Sequence, residues 1–196
     1  MLPIIPPDQL TLGVLAGGRA TRLGGVDKAW IERDGIPQVL RWRRRFVAEA
    51  GAMLASANRD LHRYREAGID VASDRFEGDF GPIAGMESLL AHCRTPWLLT
   101  VPVDLVGVND CLVQTLCAER APNGAFARDE DGDQPLVALW RVEAALPATV
   151  AAIEANRTAI HALQARLQMR VVHFKGVRFG NLNTPDDLLA ARIHHD

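Results

Sequence analysis

The sequence predicts an α/β protein of three layers, in which a mostly parallel twisted sheet carries helices on both faces. Short apolar runs of strand length alternate along the 196 residues with segments of helical periodicity. Such alternation favours parallel strands joined by βαβ crossovers. With 48% hydrophobic and 23% charged residues, the composition is that of a globular protein. The length suits a single domain, which we predict to span residues 1–196.

The apolar runs predict where the strands lie. The clearest candidates are residues 10–15, 52–57 and 97–103, and the weaker ones are 69–72, 124–128, 135–140 and 170–174. Apolar residues at helical spacing predict helices over 38–50, 83–92, 108–119, 143–155, 157–168 and 185–193. The last of these has a good start, because Thr184 can cap it and Pro185 suits its first position. The polar stretch 128–134 is predicted to be a solvated, hairpin-like loop.

Charge and cysteine content argue against several classes of function. The 22 Lys and Arg against 24 Asp and Glu give a net charge of −2, which supplies no field to draw the whole molecule to nucleic acid or to an anionic membrane. The three cysteines lack Cys-x-x-Cys spacing, so neither a disulfide framework nor a zinc site is indicated. There is no apolar run near the roughly 18 residues of a membrane span and no basic, apolar leader. We therefore expect a cytoplasmic protein without nucleic-acid or membrane partners.

A glycine-rich, basic loop follows the first predicted strand. Residues 15–28 contain four glycines and the cations Arg19, Arg22 and Lys28. Glycines let backbone N–H groups approach an anion, and the cations can neutralise a polyphosphate. Neither Walker-type nor Gly-x-Gly-x-x-Gly spacing is present. The loop therefore predicts a phosphate site of another kind, and a flexible surface turn is the weaker alternative.

Carboxylates stand where two other predicted strands end. Asp104 follows the strand 97–103, at the edge of a parallel sheet where ligands bind, and could hold a magnesium ion that bridges phosphate oxygens. Asp74 follows the run 69–72 and, with the turn at Gly81 and Pro82, could contact a base or a sugar. For both carboxylates a cap or turn role is the alternative.

Two amides precede the last predicted helix. Asn181 and Asn183 flank Leu182, and strand-like alternation would put both amides on one face, as a polar ligand needs, although Asn also serves turns. The basic run 41–45 is predicted to be a solvated helix face, because Trp42 lies on the apolar stripe. Spacing indicates no Cys/His or Ser/His/Asp arrangement, which favours a reaction that needs little acid–base help.

These motifs together resemble the nucleotidyltransferases, and most closely the molybdenum cofactor guanylyltransferases. The glycine-rich loop is the first match, and its Ala-Gly-Gly form is similar to that of the guanylyl branch. The further matching blocks are Asp74 with 81–85, 102–104, 134–139 and 181–188. The chain departs from the family pattern at Ser56, Val103, Val106 and Gln134, where the family usually has Asn, Cys, Pro and His.

The resemblance implies a Rossmann-like nucleotidyltransferase fold and transfer of GMP from GTP to the phosphate of molybdenum-molybdopterin, with release of pyrophosphate. Lys28, Arg22 and Asp104 would be catalytic, with Mg²⁺ on Asp104. The N-terminal half would bind the nucleotide and the C-terminal half the acceptor. Beyond GTP and molybdopterin, cofactor-handling proteins and apo-molybdoenzymes would be partners. The nucleotide site would comprise Leu15, Ala16, Gly17, Gly18, Lys28, Asp74, Gly81 and Asp104, and the acceptor site Gln134, Asn181 and Asn183.

The sequence leaves two other functions open. A related nucleotidyltransferase could use CTP or a sugar-phosphate acceptor, and the departures at Ser56 and Val103 motivate this alternative. A non-catalytic relative could bind a nucleotide without transferring it. Retention of Lys28, Arg22 and Asp104 favours an enzyme over such a binding protein.

Overall fold

The computed structural model of the chain describes residues 3–17 and 27–182. Two short 3-10 helices, Pro7–Gln9 and Lys28–Trp30, accompany the regular elements. The strands are β1 (Leu10–Leu15), β2 (Glu32–Arg33), β3 (Ile36–Pro37), β4 (Ala52–Ser56), β5 (Asp70–Ala72), β6 (Trp97–Pro102), β7 (Leu105–Val106), β8 (Gly124–Asp129), β9 (Gly132–Arg141), β10 (Arg170–His173) and β11 (Gly180–Asn181). The helices are α1 (Gln38–Phe46), α2 (Leu61–Glu66), α3 (Pro82–His92), α4 (Leu112–Glu119), α5 (Val142–Glu154) and α6 (Ile160–Arg166).

A mixed but mostly parallel sheet forms the centre of the molecule. Across the described residues its strand order is β10-β8-β9-β6-β1-β4-β5. β1 pairs in parallel with β4 and β6, β4 with β5, and β10 with β8. β9 runs antiparallel to both of its neighbours, β6 and β8. The predicted fold class is confirmed, with β9 as the reversed strand.

Helices cover both faces of this sheet, as the sequence predicts. One core packs buried residues of α1, α2 and α4, such as Phe46, against the face that carries Leu12 of β1. The other core packs residues of α3, α5 and α6 against the opposite face, which carries Leu98 of β6. Strands buried on both sides read as continuous apolar runs, which is why β1 and β6 are visible in the sequence.

The prediction of a loop over 128–134 was wrong in its extent. β8 and β9 pair through this stretch, and only Glu130 and Asp131 lie between them. Arg128 lies opposite Asp133, and its Nε is 2.5 Å from Asp133 Oδ1. Opposite charges paired across two strands let polar residues stay in the ladder, so the hairpin is confirmed but its strands are longer than predicted.

One end of α1 and one end of α4 differ from the prediction. α1 ends at Phe46 and not at residue 50, and the next residue, Val47, is 72% exposed. α4 begins at Leu112 and not at 108. The predicted helix 185–193 lies outside the described residues. No helix in the described ranges combines the length and the apolar character needed to cross a membrane.

Candidate functional site

The candidate residues meet at one edge of the sheet. β1, β4 and β6 are parallel, and their last residues lie side by side, with Leu15 opposite both Ser56 and Pro102. The pairing continues just past the strands, since Ala16 N donates to Ser56 O and Val103 N donates to Leu15 O, both at 3.0 Å. Carboxyl ends of parallel strands are where such sheets bind ligands, so the loops that follow these strands form a common site.

An ion pair joins the end of the glycine-rich loop to the end of β6. Lys28 Nζ lies 2.7 Å from Asp104 Oδ2, and each side chain is 19% exposed. Lys28 is held at the start of its 3-10 helix, where Asp27 Oδ1 accepts a hydrogen bond of 3.0 Å from Ala29 N. Two of the three residues that the sequence predicts to be catalytic therefore touch, although 76 positions separate them.

A pocket of about 400 Å³ lies beside β1 and β4. Ala16, Gly17, Asp74 and Gly81, four of the predicted nucleotide-site residues, line it together. Pockets of this size hold small ligands. Several other lining residues were not predicted from the sequence, namely Asp27, Asn58, Arg59, Asp79 and Phe80.

Asp74 is anchored by an amide that the sequence analysis did not assign to the site. Asn58 Nδ2 donates to Asp74 Oδ2 at 2.8 Å, and Asp74 N donates to Asn58 Oδ1 at 2.9 Å. One residue earlier, Ser73 Oγ donates to Ala57 O at 3.0 Å. The strand order places β5 beside β4 and so brings these residues together. No pattern in the sequence indicates this pairing across 16 residues.

The wall of the pocket depends on close backbone packing. Gly81 precedes α3 with φ of 67° and ψ of −150°, a conformation that side chains rarely adopt. Gly85, one turn into α3, faces the buried Ser56 hydroxyl, and a Cβ at Gly85 would overlap it. Ser56 is 1% exposed, and its Oγ has no hydrogen-bond partner in the described part of the chain. Small residues therefore let α3 approach β4 at the site.

Burial shifts the pKa of an acid that lines the pocket and of a buried phenol near that acid. Burial raises the pKa of Asp27, and the hydrogen bond from Ala29 N offsets this only in part. Burial also raises the pKa of Tyr64, and the nearby Asp27 adds to the effect. The Asp27 carboxylate thus lies in a partly desolvated place, where a hydrogen-bond donor from a ligand is favourable.

The predicted acceptor residues have different surroundings. Asn181 lies in β11, opposite Leu105 of β7, and Leu182 N donates to Asp104 O at 2.8 Å. Asn181 is therefore held beside the Lys28–Asp104 pair and is exposed. The Gln134 amide is used within the hairpin, since its Nε2 donates to Asp129 Oδ2 at 3.2 Å.

Gly18, Arg22 and Asn183 lie outside the described residues, so their part in the site remains a prediction from the sequence.

The donor set fits a magnesium ion that arrives with phosphate. Within the described residues there is no group of three or more His, Cys, Asp or Glu side chains that could hold a metal. Asp104 supplies one carboxylate at the mouth of the site. Mg²⁺ is commonly held by one or two carboxylates, with substrate phosphates and waters as its other ligands, and Asp104 suits that role.

Comparison with known sequences agrees with this geometry. Residues 12–170 match the model of the MobA-like NTP transferase domain. The chain is 34% identical over 194 residues to the molybdenum cofactor guanylyltransferase of Cupriavidus necator, covering 94% of this chain and 97% of that protein. It is 35% identical over 185 residues to the protein of the same name from Serratia proteamaculans, with 93% of each chain covered.

Solved structures show the same fold. Molybdopterin-guanine dinucleotide biosynthesis protein A from Archaeoglobus fulgidus superposes with a TM-score of 0.70 at 19% identity, covering 93% of this chain and 97% of that one. The inositol-1-phosphate CTP transferase of T. maritima gives 0.68 at 10% identity, covering 96% and 98%. At these identities the structures establish the architecture, and the sequence relatives and the domain match establish the family. The chain belongs to the MobA-like NTP transferase family.

Proposed function

We propose that this protein transfers GMP from GTP to the phosphate of molybdenum-molybdopterin and releases pyrophosphate. The observation that carries the proposal is the Lys28–Asp104 ion pair of 2.7 Å beside a pocket of nucleoside size. Support comes from relatives named molybdenum cofactor guanylyltransferase, which are about one third identical over nearly the whole chain.

The reaction needs positioning and charge neutralisation more than acid–base chemistry. An oxygen of the acceptor phosphate forms a bond to the α-phosphorus of GTP, and the bond from that phosphorus to the oxygen bridging to the β-phosphate breaks. A phosphate monoester is already an anion near neutral pH, so no general base is required. Lys28 would neutralise charge on the triphosphate, with Arg22 in the same role. Asp104 would hold Mg²⁺, which supplies further neutralisation of phosphate charge when it is bound.

The lining of the pocket favours guanine. Three carboxylates, Asp27, Asp74 and Asp79, line it against one cation, Arg59, and Phe80 offers an apolar ring. Guanine presents two adjacent N–H donors on its Watson–Crick edge, which a carboxylate can accept together, whereas cytosine presents a single amino donor. Leu15, Ala16, Gly17 and Gly18 would contact the base and ribose from the other side. An acidic pocket therefore supports GTP over CTP.

The acceptor is proposed to bind on the C-terminal side of Asp104. Asn181 lies beside this carboxylate in the β7–β11 ribbon, and Asn183 would extend the same surface. Gln134 would act there indirectly, since its amide holds Asp129. We propose this division of one domain into nucleotide and acceptor halves, with cofactor-handling proteins and apo-molybdoenzymes as partners. The three free cysteines suit the reducing cytoplasm.

Thermal unfolding with GTP, CTP, ATP and UTP, each with Mg²⁺, tests the nucleotide. A ligand at about 100 times its Kd adds about 2.7 kcal/mol to stability, which for a chain of this size raises Tm by roughly 5–11 °C. We expect GTP to give the largest rise. A larger rise with CTP or UTP would overturn the guanylyl assignment, and no rise with any nucleotide would overturn the proposal as a whole.

Turnover tests the role of the cation. Lys28→Ala should lower kcat for pyrophosphate release by roughly 10²–10³-fold, as removal of one transition-state donor does. The matched control is Lys175→Ala, which removes an exposed lysine from the turn after β10 and should leave kcat unchanged. A folded Lys28→Ala variant with normal turnover would contradict the role assigned to Lys28.

A further inference from the structure

A carboxylate lies inside the protein without the hydrogen bonds that a buried acid normally has. Glu87, in the middle of α3, is 0% exposed, and within the described residues neither of its oxygens has a hydrogen-bond partner. Burial raises its pKa, and Asp74 raises it further, while Arg75 and His92 lower it. An acid in such a place costs folding free energy, so its presence needs a reason other than stability.

Within the described part of the chain, the ion-pair partner of Glu87 is Arg75. Its Nη1 lies 3.3 Å from Glu87 Oε1, and the arginine side chain is 52% exposed. A pair with one buried and one half-exposed member gains little, because solvent screens the arginine while the carboxylate bears the full desolvation penalty. Apolar residues in place of such pairs often leave stability unchanged or raise it. The pair is thus poorly explained as a stabilising contact.

Arg75 directly follows the residue that lines the nucleotide pocket. Three consecutive residues after β5 each contact a different group. Ser73 donates a hydrogen bond to Ala57 O, Asp74 is hydrogen-bonded to Asn58, and Arg75 forms an ion pair with Glu87. The partners of Ser73 and Asp74 lie in the segment after β4, and the partner of Arg75 lies in α3. The backbone at Asp74 is therefore held from two sides, and Glu87 supplies the second side.

We propose that Glu87 is a positioning residue that acts through Arg75 to hold Asp74 in place against the nucleotide pocket. It lowers the Kd for nucleotide at the expense of folding stability and does not itself touch the substrate. The proposal rests on the proposed function in one respect, namely that Asp74 belongs to the nucleotide-binding part of the site. Loss of the Arg75–Glu87 ion pair increases the mobility of the segment that carries Asp74. It leaves the positions of Lys28 and Asp104 unchanged.

Glu87→Met in the full-length protein separates positioning from stability. Met is apolar and close to Glu in volume, so the variant should unfold at the same or a higher urea concentration than the wild type. Its Kd for GTP, measured by calorimetry with Mg²⁺, should rise about 5–10-fold, while kcat at saturating GTP stays within about twofold. Arg75→Met should weaken GTP binding by a similar factor, and the double variant should be no weaker than either single variant.

A second pair in the same chain supplies the matched control. Arg141 Nη2 lies 3.8 Å from Glu143 Oε2, and Glu143 is 85% exposed at the start of α5. Glu143→Met removes an acid from an Arg–Glu pair and should leave the Kd for GTP unchanged. If Glu87→Met does not fold, Glu87→Gln removes the charge while keeping the shape, and it should raise the Kd in the same way.

The outcomes distinguish this proposal from the proposed function. If the wild type binds GTP, Lys28→Ala weakens binding and Glu87→Met does not, the positioning role is overturned and the proposed function stands. If Glu87→Met lowers stability and kcat together with affinity, Glu87 is merely structural and the proposal fails. If the wild type binds no nucleoside triphosphate, both proposals fall.

Discussion

The contact between α3 and β4 predicts that Gly85→Ala changes the stability of the protein in opposite directions with and without the Ser56 hydroxyl. Gly85 lies inside α3, where Ala is favoured over Gly by about 1 kcal/mol. A Cβ at this position would lie closer than 3.0 Å to Ser56 Oγ, and 3.4 Å from both Ser56 Cβ and Leu15 Cδ2. Gly85→Ala therefore stabilises the helix through its higher propensity and destabilises the protein through a steric overlap with a single atom, Ser56 Oγ.

The relative sizes of these two effects determine whether Gly85→Ala raises or lowers the free energy of unfolding. Overpacking of a well-packed core costs about 1–3 kcal/mol, so Gly85→Ala should lower the free energy of unfolding by about 1 kcal/mol net, or Tm by about 2–4 °C. Ser56→Ala removes an Oγ that has no hydrogen-bond partner among residues 3–17 and 27–182, and should be close to neutral. With that oxygen gone, the nearest contacts are at ordinary distance, and Gly85→Ala should stabilise the protein by about 0.5–1 kcal/mol.

Urea unfolding of the wild type, both single variants and the double variant, followed by circular dichroism, measures this cycle. The coupling free energy between the two sites should be about 1–3 kcal/mol. Stabilisation by Gly85→Ala with Ser56 present would show that the contact is not tight. Equal destabilisation in both backgrounds would show that the strain lies against some other atom, and either result would refute the reasoning.

Three further results are expected. Trp140→Phe should cost about 2–3 kcal/mol of unfolding free energy in urea, because Trp140 is fully buried and its Nε1 donates to Thr100 Oγ1 at 2.8 Å; a smaller loss would mean that the core relaxes around the gap. Burial alone would raise the pKa of Asp129, but hydrogen bonds, first from Phe179 N, lower it below 3.8. Its contribution to stability is therefore complete above pH 3.8 and lost as the pH falls through the folded value, so urea unfolding between pH 3 and 7 should show a weaker acid dependence for Asp129→Asn. Finally, Mg²⁺ alone should leave Tm unchanged and should raise it only together with GTP, because Asp104 supplies a single carboxylate and the phosphates of GTP supply the other ligands. A rise in Tm with Mg²⁺ alone would reveal a preformed metal site.

Local sequence patterns predict most elements of the fold. The runs at 10–15 and 97–103 predict β1 and β6 nearly to the residue, because strands buried on both faces must be apolar throughout. The helix α2 was not predicted, since six residues with one buried side chain, Tyr64, have too little periodicity to detect. The hairpin predicted over 128–134 is present, but its loop is shorter than predicted because charge pairing across β8 and β9 keeps polar residues in the strands.

Local features of the sequence are enough to predict the class of chemistry. A glycine-rich loop with cations after the first strand and a carboxylate after the strand that became β6 are local features, and the family pattern consists of them. Which side chains meet depends on the folded chain, which brings Lys28 to Asp104, Asn58 to Asp74, and Arg75 to Glu87. The physical reason is that such contacts depend on strand order and on the packing of α3, which bring together residues far apart in the chain. The β8–β9 hairpin places the Gln134 amide against Asp129, and the pairing of β11 with β7 leaves Asn181 exposed beside Asp104.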